Sequence, residues 1–431
     1  MAQARAQDKV IDTGRSFSLG INLRHLRALT AVASAGSIAG AAEQMFRVPS
    51  AVTRAICELE SALGKPLFER RARGMVLNAY GELVLVRAHR IEREFEDARA
   101  QLVSRGGISA SADVRSLFAS ILNGRRLAVF ASLVETRNMP TVAREFGITQ
   151  PAISTALKEL ERGLGVALLE RTPRGLLPTA AAETVAFYFK RVLSELRHIV
   201  ADLAASEGRL QGSIHVGALP LGRTQILPMA VAALLARHPD LHVTTVESPY
   251  DALAAALRSG DIDFILGALR SGPEVKDLRQ EPLFEDRISV IARAGHPLAH
   301  ARRIDFDRLR KATWVLSRRG APSRELLEKS FLEVHESPPV PAVETGDLAM
   351  LRGLLLESDM LTAISAHQLR YEIRDRSLVV LPFALDRTRR DIGLTHRLGA
   401  IPSPGAKALM EELREVVAQS SDFQRPTRGS P

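Results

Sequence analysis

The 431-residue chain contains a single cysteine, Cys57, a single tryptophan and four tyrosines, with aromatic residues at 5%. One cysteine can form no internal disulfide and cannot by itself build a thiolate metal site. Cys57 therefore reads as helix filler, with a reactive thiol as the alternative. Long apolar runs are missing too. Thr224 to Ala236 is uncharged, but it is too short to span a bilayer and lies between Arg223 and Arg237. The first twenty residues mix Arg5, Asp8, Lys9, Asp12 and Arg15 with small residues and lack the apolar core of a secretory signal. A cytoplasmic protein without membrane contact is expected. Catalytic signatures are absent as well: there is no Gly-x-Ser-x-Gly, His-Glu-x-x-His, phosphate loop or Gly-x-Gly-x-x-Gly. No catalytic residues, metal site or cofactor are expected. The acids Asp261 and Asp263 read as surface or capping groups.

What is present is an ordinary globular balance, 46% apolar and 25% charged, on a chain long enough for several domains. The net charge of +9 is unevenly spread. Residues 1–211 hold 29 Lys and Arg against 21 Asp and Glu, whereas residues 212–431 hold 29 against 28. An Arg-rich genome explains arginine over lysine, but not why the excess sits in one half. The first half is expected to meet a polyanion.

That half also repeats. Ala51–Gly74 aligns without gaps on Ala152–Gly175, with 12 of 24 positions identical. The matches include Glu58-Leu59-Glu60 with Glu159-Leu160-Glu161, and Arg73-Gly74 with Arg174-Gly175. Each copy predicts a first helix (Leu23–Ala35; Leu117–Thr136) and a short helix after Ser37 or Asn138. A third helix is predicted from Pro49 or Pro151, then a hairpin with the arginines at its tip, and finally a long helix, Ala79–Leu102 or Ala180–Leu203. Three small helices and a hairpin describe a winged helix-turn-helix.

In such a unit the third helix enters the major groove, with its N-terminal side chains toward base edges. In the second copy those are Thr149, Gln150, Pro151, Ser154, Thr155 and, one turn on, Lys158. Glutamine can bond an adenine edge twice, and serine and threonine reach bases or phosphates. The wing tips Arg73 and Arg174 are expected at phosphate or in the minor groove. The first copy has Val48-Pro49-Ser50 where the second has Thr149-Gln150-Pro151, so it lacks both a capping oxygen and the glutamine. Its contacts are expected through Arg47, Ser50, Thr53, Arg54 and Arg73, mainly to the backbone. An interaction module with solvated arginines is the plainer alternative.

The run from Phe146-Gly147-Ile148-Thr149-Gln150 through Leu160-Glu161 and Leu164-Gly165 to Glu170-Arg171 resembles the head of LysR-type transcriptional regulators. Members of that family carry one such head. The resemblance implies that the long helix behind the wing is a linker through which the family dimerises. In the second copy Val185, Phe189, Val192, Leu196 and Ile199 would form the contact, giving a homodimer or homotetramer. Burial inside one chain explains the same stripe.

From Gly212 short apolar strands alternate with helices: Ser213–Gly217, His242–Val246, Phe264–Ala268, Arg287–Ala292, Thr313–Leu316 and Met360–Ile364 among Gln225–Arg237, Tyr250–Ser259, Arg324–Val334 and Asp347–Glu357. This predicts an α/β fold with largely parallel sheets and a cleft at the strands' carboxyl ends. The stretch resembles the effector-binding domain of the same family, which is a two-lobed periplasmic-binding-protein-like (type 2) fold. The carriers include Leu257-Arg258-Ser259-Gly260-Asp261-Ile262-Asp263 and Gly295-His296-Pro297-Leu298. The family places that second run in a structural turn, so His296 is not expected to act as a base. By position, the resemblance implies a pocket at Leu219, Pro220, Thr224, Gly267, Ala268, Ser317, Arg318, Arg319, Ser323 and Thr345. Helix N-termini and the two arginines favour a small anionic effector, although a solvated Arg318-Arg319 loop is an equal alternative.

The expected architecture is therefore α/β, with two tandem winged helix-turn-helix domains before the effector domain. Its parts are a flexible N-terminus at 1–21, a first head with its helix at 22–103 and a connector at 104–116. A second head with its helix at 117–206, the effector domain at 212–418 and a tail at 419–431 follow. The expected function is ligand-responsive regulation of transcription on double-stranded operator DNA. An architectural DNA-bridging protein with a vestigial pocket, or an enzyme or transport-type binding protein carrying a DNA head, are the rivals.

Overall fold

The computed structural model describes residues 20–71, 74–106, 108, 123–173, 175–420 and 423. Most of the connector expected at 104–116, the start of the helix expected from Leu117 and most of the two tails fall outside them. The chain opens with helices α1 (Leu23–Ala35), α2 (Ile38–Gln44) and α3 (Pro49–Leu63), strands β1 (Phe68–Arg71) and β2 (Gly74–Leu77), and the long helix α4 (Ala79–Ser104). The series returns as α5 (Gly124–Thr136), α6 (Met139–Phe146), α7 (Gln150–Leu164), β3 (Leu169–Thr172), β4 (Gly175–Pro178) and α8 (Ala180–Ala205). The starts of equivalent elements all lie 101 residues apart.

Local chemistry explains the shared boundaries. Asn22 and Asn123 cap α1 and α5 with their side-chain oxygens, as Asn78 and Thr179 do for α4 and α8. Gly64 and Gly165 end α3 and α7 in the left-handed region, at φ 66° and 69°, where a Cβ would be strained. The glutamates at the end of the matched Glu-Leu-Glu runs fix the entry to each hairpin. Glu60 accepts from the Leu67 amide at 2.7 Å, and Glu161 from the Leu168 amide at 2.8 Å.

The long helices α4 and α8 run antiparallel against each other. Arg87 meets Asp202 near one end and Arg105 meets Thr184 near the other. Between them Val84, Ala88, Ile91, Phe95, Ala98 and Leu102 of α4 share one core with Val185, Phe189, Val192, Leu196, Ile199 and Leu203 of α8. The stripe expected to contact a second copy is thus covered by the same chain. Val185, Phe189, Val192, Leu196 and Ile199 are almost wholly buried within a single chain, because α4 supplies the apolar face they require.

The second half is two lobes. The first has five strands in the order β6-β5-β7-β14-β8, from β5 (Gly212–Ala218), β6 (Leu241–Val246), β7 (Phe264–Ala268), β8 (Leu278–Asp286) and β14 (Arg390–Arg397). The other is ordered β11-β10-β12-β9-β13, from β9 (Ile288–Arg293), β10 (Thr313–Leu316), β11 (Val343–Glu344), β12 (Met360–Ser365) and β13 (Leu378–Val380). These sheets are mixed rather than largely parallel. β14 runs antiparallel to β7 and β8, and β9 antiparallel to β12 and β13. The chain crosses between lobes at β8–β9 and again before β14, so the first sheet receives β14 from the far side of the sequence, whereas the second is built from one continuous stretch. Short helices α9 (Pro220–Thr224), α10 (Ile226–Arg237), α11 (Tyr250–Ser259), α12 (Phe306–Lys311), α13 (Pro322–Glu333), α14 (Leu348–Glu357) and α15 (Arg370–Arg374) cover the sheets, with α16 (Pro404–Gln419) packed on α10. No helix among the described residues is long and apolar enough to cross a membrane.

Candidate functional site

Helix α7 presents Thr149, Gln150, Pro151, Thr155 and Lys158 to solvent, with Ser154 half-buried beside them. Ile153, Leu160 and Leu164 hold its opposite face in the core. Thr149 caps the helix, its oxygen accepting from the Ala152 amide at 3.3 Å. On α3 the side chains of Arg47, Ser50, Thr53 and Arg54 are likewise exposed, but Val48 caps without any side-chain bond. Arg73 and Arg174 lie outside the described residues.

Beside each of these helices runs a groove that sequence reading missed. One of about 330 Å³ is lined by Arg24, His25, Arg47 and Arg54, and its counterpart of about 460 Å³ by Arg125 and Arg126. The lining is equivalent down to its side-chain contacts, His25 to Glu58 at 3.1 Å and Arg126 to Glu159 at 3.3 Å. Burial holds the His25 imidazole below its ordinary value despite Glu58. The signal that could have found these cations is the 101-residue repeat itself, extended back to the first turn of α1 and α5.

The long helices also bind the two-lobed part through buried charges. Arg87, 1% exposed, donates to Asp202 at 2.7 Å, to Glu195 at 2.9 Å and to the Ile401 carbonyl at 2.8 Å. His198 faces Asp263 at 3.4 Å, and Lys190 donates to Asp261 at 2.8 Å. Asp261, at the surface as expected, and Asp263, mostly buried and accepting from the His215 amide, are therefore the anchor points of α8 on the first lobe.

Between the lobes Asp286 accepts from Ser365 at 2.6 Å and from two Arg390 nitrogens at 3.0 Å. This ties the crossover together. Around it the expected pocket residues divide. Leu219 packs on Gly267, and Thr224 reaches the second lobe at the His367 carbonyl, 3.5 Å away. Ser323 donates to Ser317 at 3.1 Å at the start of α13, and the Thr345 amide bonds Leu316 at 3.0 Å. Pro220, Arg318 and Arg319 are exposed, and Ala268 is half-buried. Sequence reading missed Arg270, just past β7. Its backbone is clamped by Gln280 at 2.9 and 2.7 Å, and its guanidinium lies 4.8 Å over the Tyr250 ring. Burial lowers the Arg270 guanidinium from its ordinary value, and Glu325 in the first turn of α13 works against that. The buried Tyr250 hydroxyl has no hydrogen-bond partner among the described residues. A half-buried cation beside an unpaired hydroxyl is chemistry suited to an anionic ligand.

Two family models match this chain. "Bacterial regulatory helix-turn-helix protein, lysR family" matches residues 23–82 and again 125–183, and "LysR substrate binding domain" matches residues 207–418. The HTH-type transcriptional regulator GalR of Pseudomonas putida is 48% identical over 400 residues, covering 93% of this chain and 98% of GalR. The chain belongs to the LysR family.

It is a LysR-type transcriptional regulator with a helix-turn-helix head and a substrate-binding domain, and not an enzyme. HTH-type transcriptional regulator PcaQ of Agrobacterium fabrum is 29% identical over 299 residues, 69% of this chain but 96% of its own length. The fold is also similar to that of a full-length OxyR variant from Pseudomonas aeruginosa, with a TM-score of 0.54 and 22% identity, covering 72% of this chain and 99% of that one. Full-length CbnR complexed with its target DNA gives 0.50 and 20% identity over 68% of this regulator and 100% of CbnR. The alignment with GalR leaves too few residues outside it to hold either helix-turn-helix match, whereas PcaQ, OxyR and CbnR each leave room for one.

Proposed function

We propose that this regulator carries two tandem winged helix-turn-helix heads, at 22–103 and 117–206, followed by an effector domain at 212–418. It binds double-stranded operator DNA through α3 and α7 and a small anionic effector between the lobes. The observation that carries the DNA reading is the exposed row Thr149, Gln150, Thr155 and Lys158 on a helix whose other face is buried. Hydrogen-bonded readout of base edges belongs to that second head, through Gln150, Thr149, Ser154 and Thr155, with Pro151 setting the helix start. Arg47, Ser50, Thr53 and Arg54 of the first head serve mainly the phosphate backbone, with Arg24 flanking them as its equivalent Arg125 flanks the second head. The wing arginines Arg73 and Arg174 extend both contacts. Arg270 and Tyr250 join Ser317, Ser323, Thr345, Thr224, Leu219, Pro220, Gly267 and Ala268 at the effector cleft, with Arg318 and Arg319 at its rim.

Self-association as a homodimer or homotetramer would have to use a surface other than the α8 stripe. Work on operator DNA implies a cytoplasmic protein. Effector acts by preferring one of two arrangements of lobes and heads; shifting a population from 1:99 to 99:1 needs about 5.5 kcal/mol of differential affinity.

Footprinting with and without ligand across a salt series tests this. Each phosphate contact should add about −0.9 to the slope of log affinity against log salt. A footprint that ligand never changes favours the architectural reading. Titration calorimetry with acidic and neutral metabolites tests the cleft, and a preference for neutral ligands removes the anionic effector.

A further inference from the structure

The two head units do more than repeat: they contact each other through equivalent residues. Asn22 and Asn123, 101 positions apart, pair with each other in an antiparallel bridge. Arg90 meets Glu195 at 2.7 Å, and their counterparts Arg191 and Glu94 meet in the reverse sense at 2.9 Å. The buried stripe obeys the same rule: Val84 corresponds to Val185, Ile91 to Val192, Phe95 to Leu196 and Leu102 to Leu203. Contacts in which i meets j′ and j meets i′ define an isologous, two-fold interface. Here that interface lies inside one chain, between antiparallel helices that are each about 39 Å long at 1.5 Å per residue.

A two-fold pair of recognition helices matches the dyad of duplex DNA, one helix per half-site. We propose that one chain supplies both halves of this reader, so that a single chain occupies a pair of half-sites, and that the half-sites differ in sequence. The inference rests on the DNA-binding reading above.

The difference follows from the side chains at equivalent positions. Gln150 corresponds to Pro49, Thr149 to Val48 and Lys158 to Cys57. The second head offers hydrogen bonds to base edges. The first offers Val48, 63% exposed, with Pro49 and Ala51, an apolar front flanked by Arg47 and Arg54. An apolar front at a recognition-helix start recognises the thymine C5-methyl group rather than a hydrogen-bonding edge. A homodimer of identical heads reads a palindrome; this pair cannot, because its two reading surfaces are chemically unlike.

Full-length protein and a pool of random DNA duplexes provide the test. The selected site should consist of two different half-sites, and a short duplex holding one such pair should saturate at one chain per duplex. Replacing thymine by uracil should weaken binding severalfold in the half-site of the first head and leave the other unaffected. Gln150→Ala should cost about 5- to 150-fold, confined to the half-site of the second head. A palindromic selected site, or saturation at two chains per duplex, overturns the proposal while leaving DNA binding intact. Failure to retain any duplex at low salt overturns the DNA-binding reading itself, and this inference with it.

Discussion

Arg90 holds Glu195 at 2.7 Å across the antiparallel helices, and the same pair recurs between Arg191 and Glu94 with the units exchanged. The two glutamates are equivalent in sequence but not in electrostatics. Burial works to raise Glu195, yet Arg90, His198 and Arg87 outweigh it and hold the carboxyl below its ordinary range. Burial dominates at Glu94, which stays raised in spite of Arg191 and Arg397.

The two should therefore respond oppositely to neutralisation. Glu195→Gln breaks a buried pair and should cost about 3–5 kcal/mol at neutral pH. Because its folded pKa is depressed, that contribution exists above the ordinary carboxylate range and is lost as pH falls through the folded value. Glu94 has the reverse sign: ionising it costs stability as pH rises from the ordinary range through its raised value. Glu94→Gln should raise the urea midpoint at pH 7. A midpoint for Glu94→Gln below that of Glu195→Gln would contradict the assignment.

Arg87 is the only cation meeting Glu195, Asp202 and the Ile401 carbonyl together among the described residues. Arg87→Met keeps the side chain's bulk but removes the cation that Asp202 meets at 2.7 Å and one of the two arginines bonded to Glu195, which is 1% exposed and keeps Arg90. The expected loss is about 3–5 kcal/mol, read as a lower urea midpoint at unchanged slope. Glu195→Met added to Arg87→Met should recover part of it, since replacing a buried pair by apolar groups is far cheaper than breaking it. Additive losses in the double variant would show that the two do not act as a pair.

The turn before α3 stores strain that its counterpart avoids. Phe46 sits at φ 52°, 95% exposed, where the second unit has Gly147 at φ 59°. A bulky side chain in the left-handed region costs roughly 1–2 kcal/mol, and this one buries nothing in return. Phe46→Gly should stabilise the first unit, by less than the full strain because glycine also frees the unfolded chain. Val48→Thr should add about 1 kcal/mol by restoring the missing cap. Thermal midpoints of both variants check this, and a lower midpoint for Phe46→Gly would mean the exposed ring makes contacts that offset its strain.

How far the sequence reveals this molecule depends on how local the determining physics is. The caps, the glycine helix ends and the 101-residue repeat are local, and the observed starts of α1, α3, α4 and α8 match those read from sequence. The strands β5, β6, β7, β10 and β12 were legible for the same reason, as short apolar runs bounded by turns. β14 was not, because its place between β7 and β8 depends on a pairing more than a hundred residues away. The partner of the Val185–Ile199 stripe was illegible in principle, since a second copy and a second helix of the same chain offer it the same apolar face. Arg270 was missed because what distinguishes it, Tyr250 beneath and Gln280 behind, comes together only in three dimensions.

Gly267 shows how tightly the candidate cleft is built. A Cβ placed there would lie 2.5 Å from the Leu219 Cβ, so alanine must displace the segment that leads into α9 rather than rotate a side-chain tip. The Leu219 amide is also bonded to the Leu266 carbonyl at 3.0 Å, which resists that displacement. Gly267→Ala should cost about 1–3 kcal/mol and weaken effector binding together with it. Gly346, just past β11 in the second lobe, has open space where its Cβ would go and should tolerate alanine within about 0.5 kcal/mol. Thermal midpoints and calorimetric affinities for the pair separate the cases. If Gly267→Ala binds effector as tightly as the parent chain, the Leu219 loop is not part of the binding site.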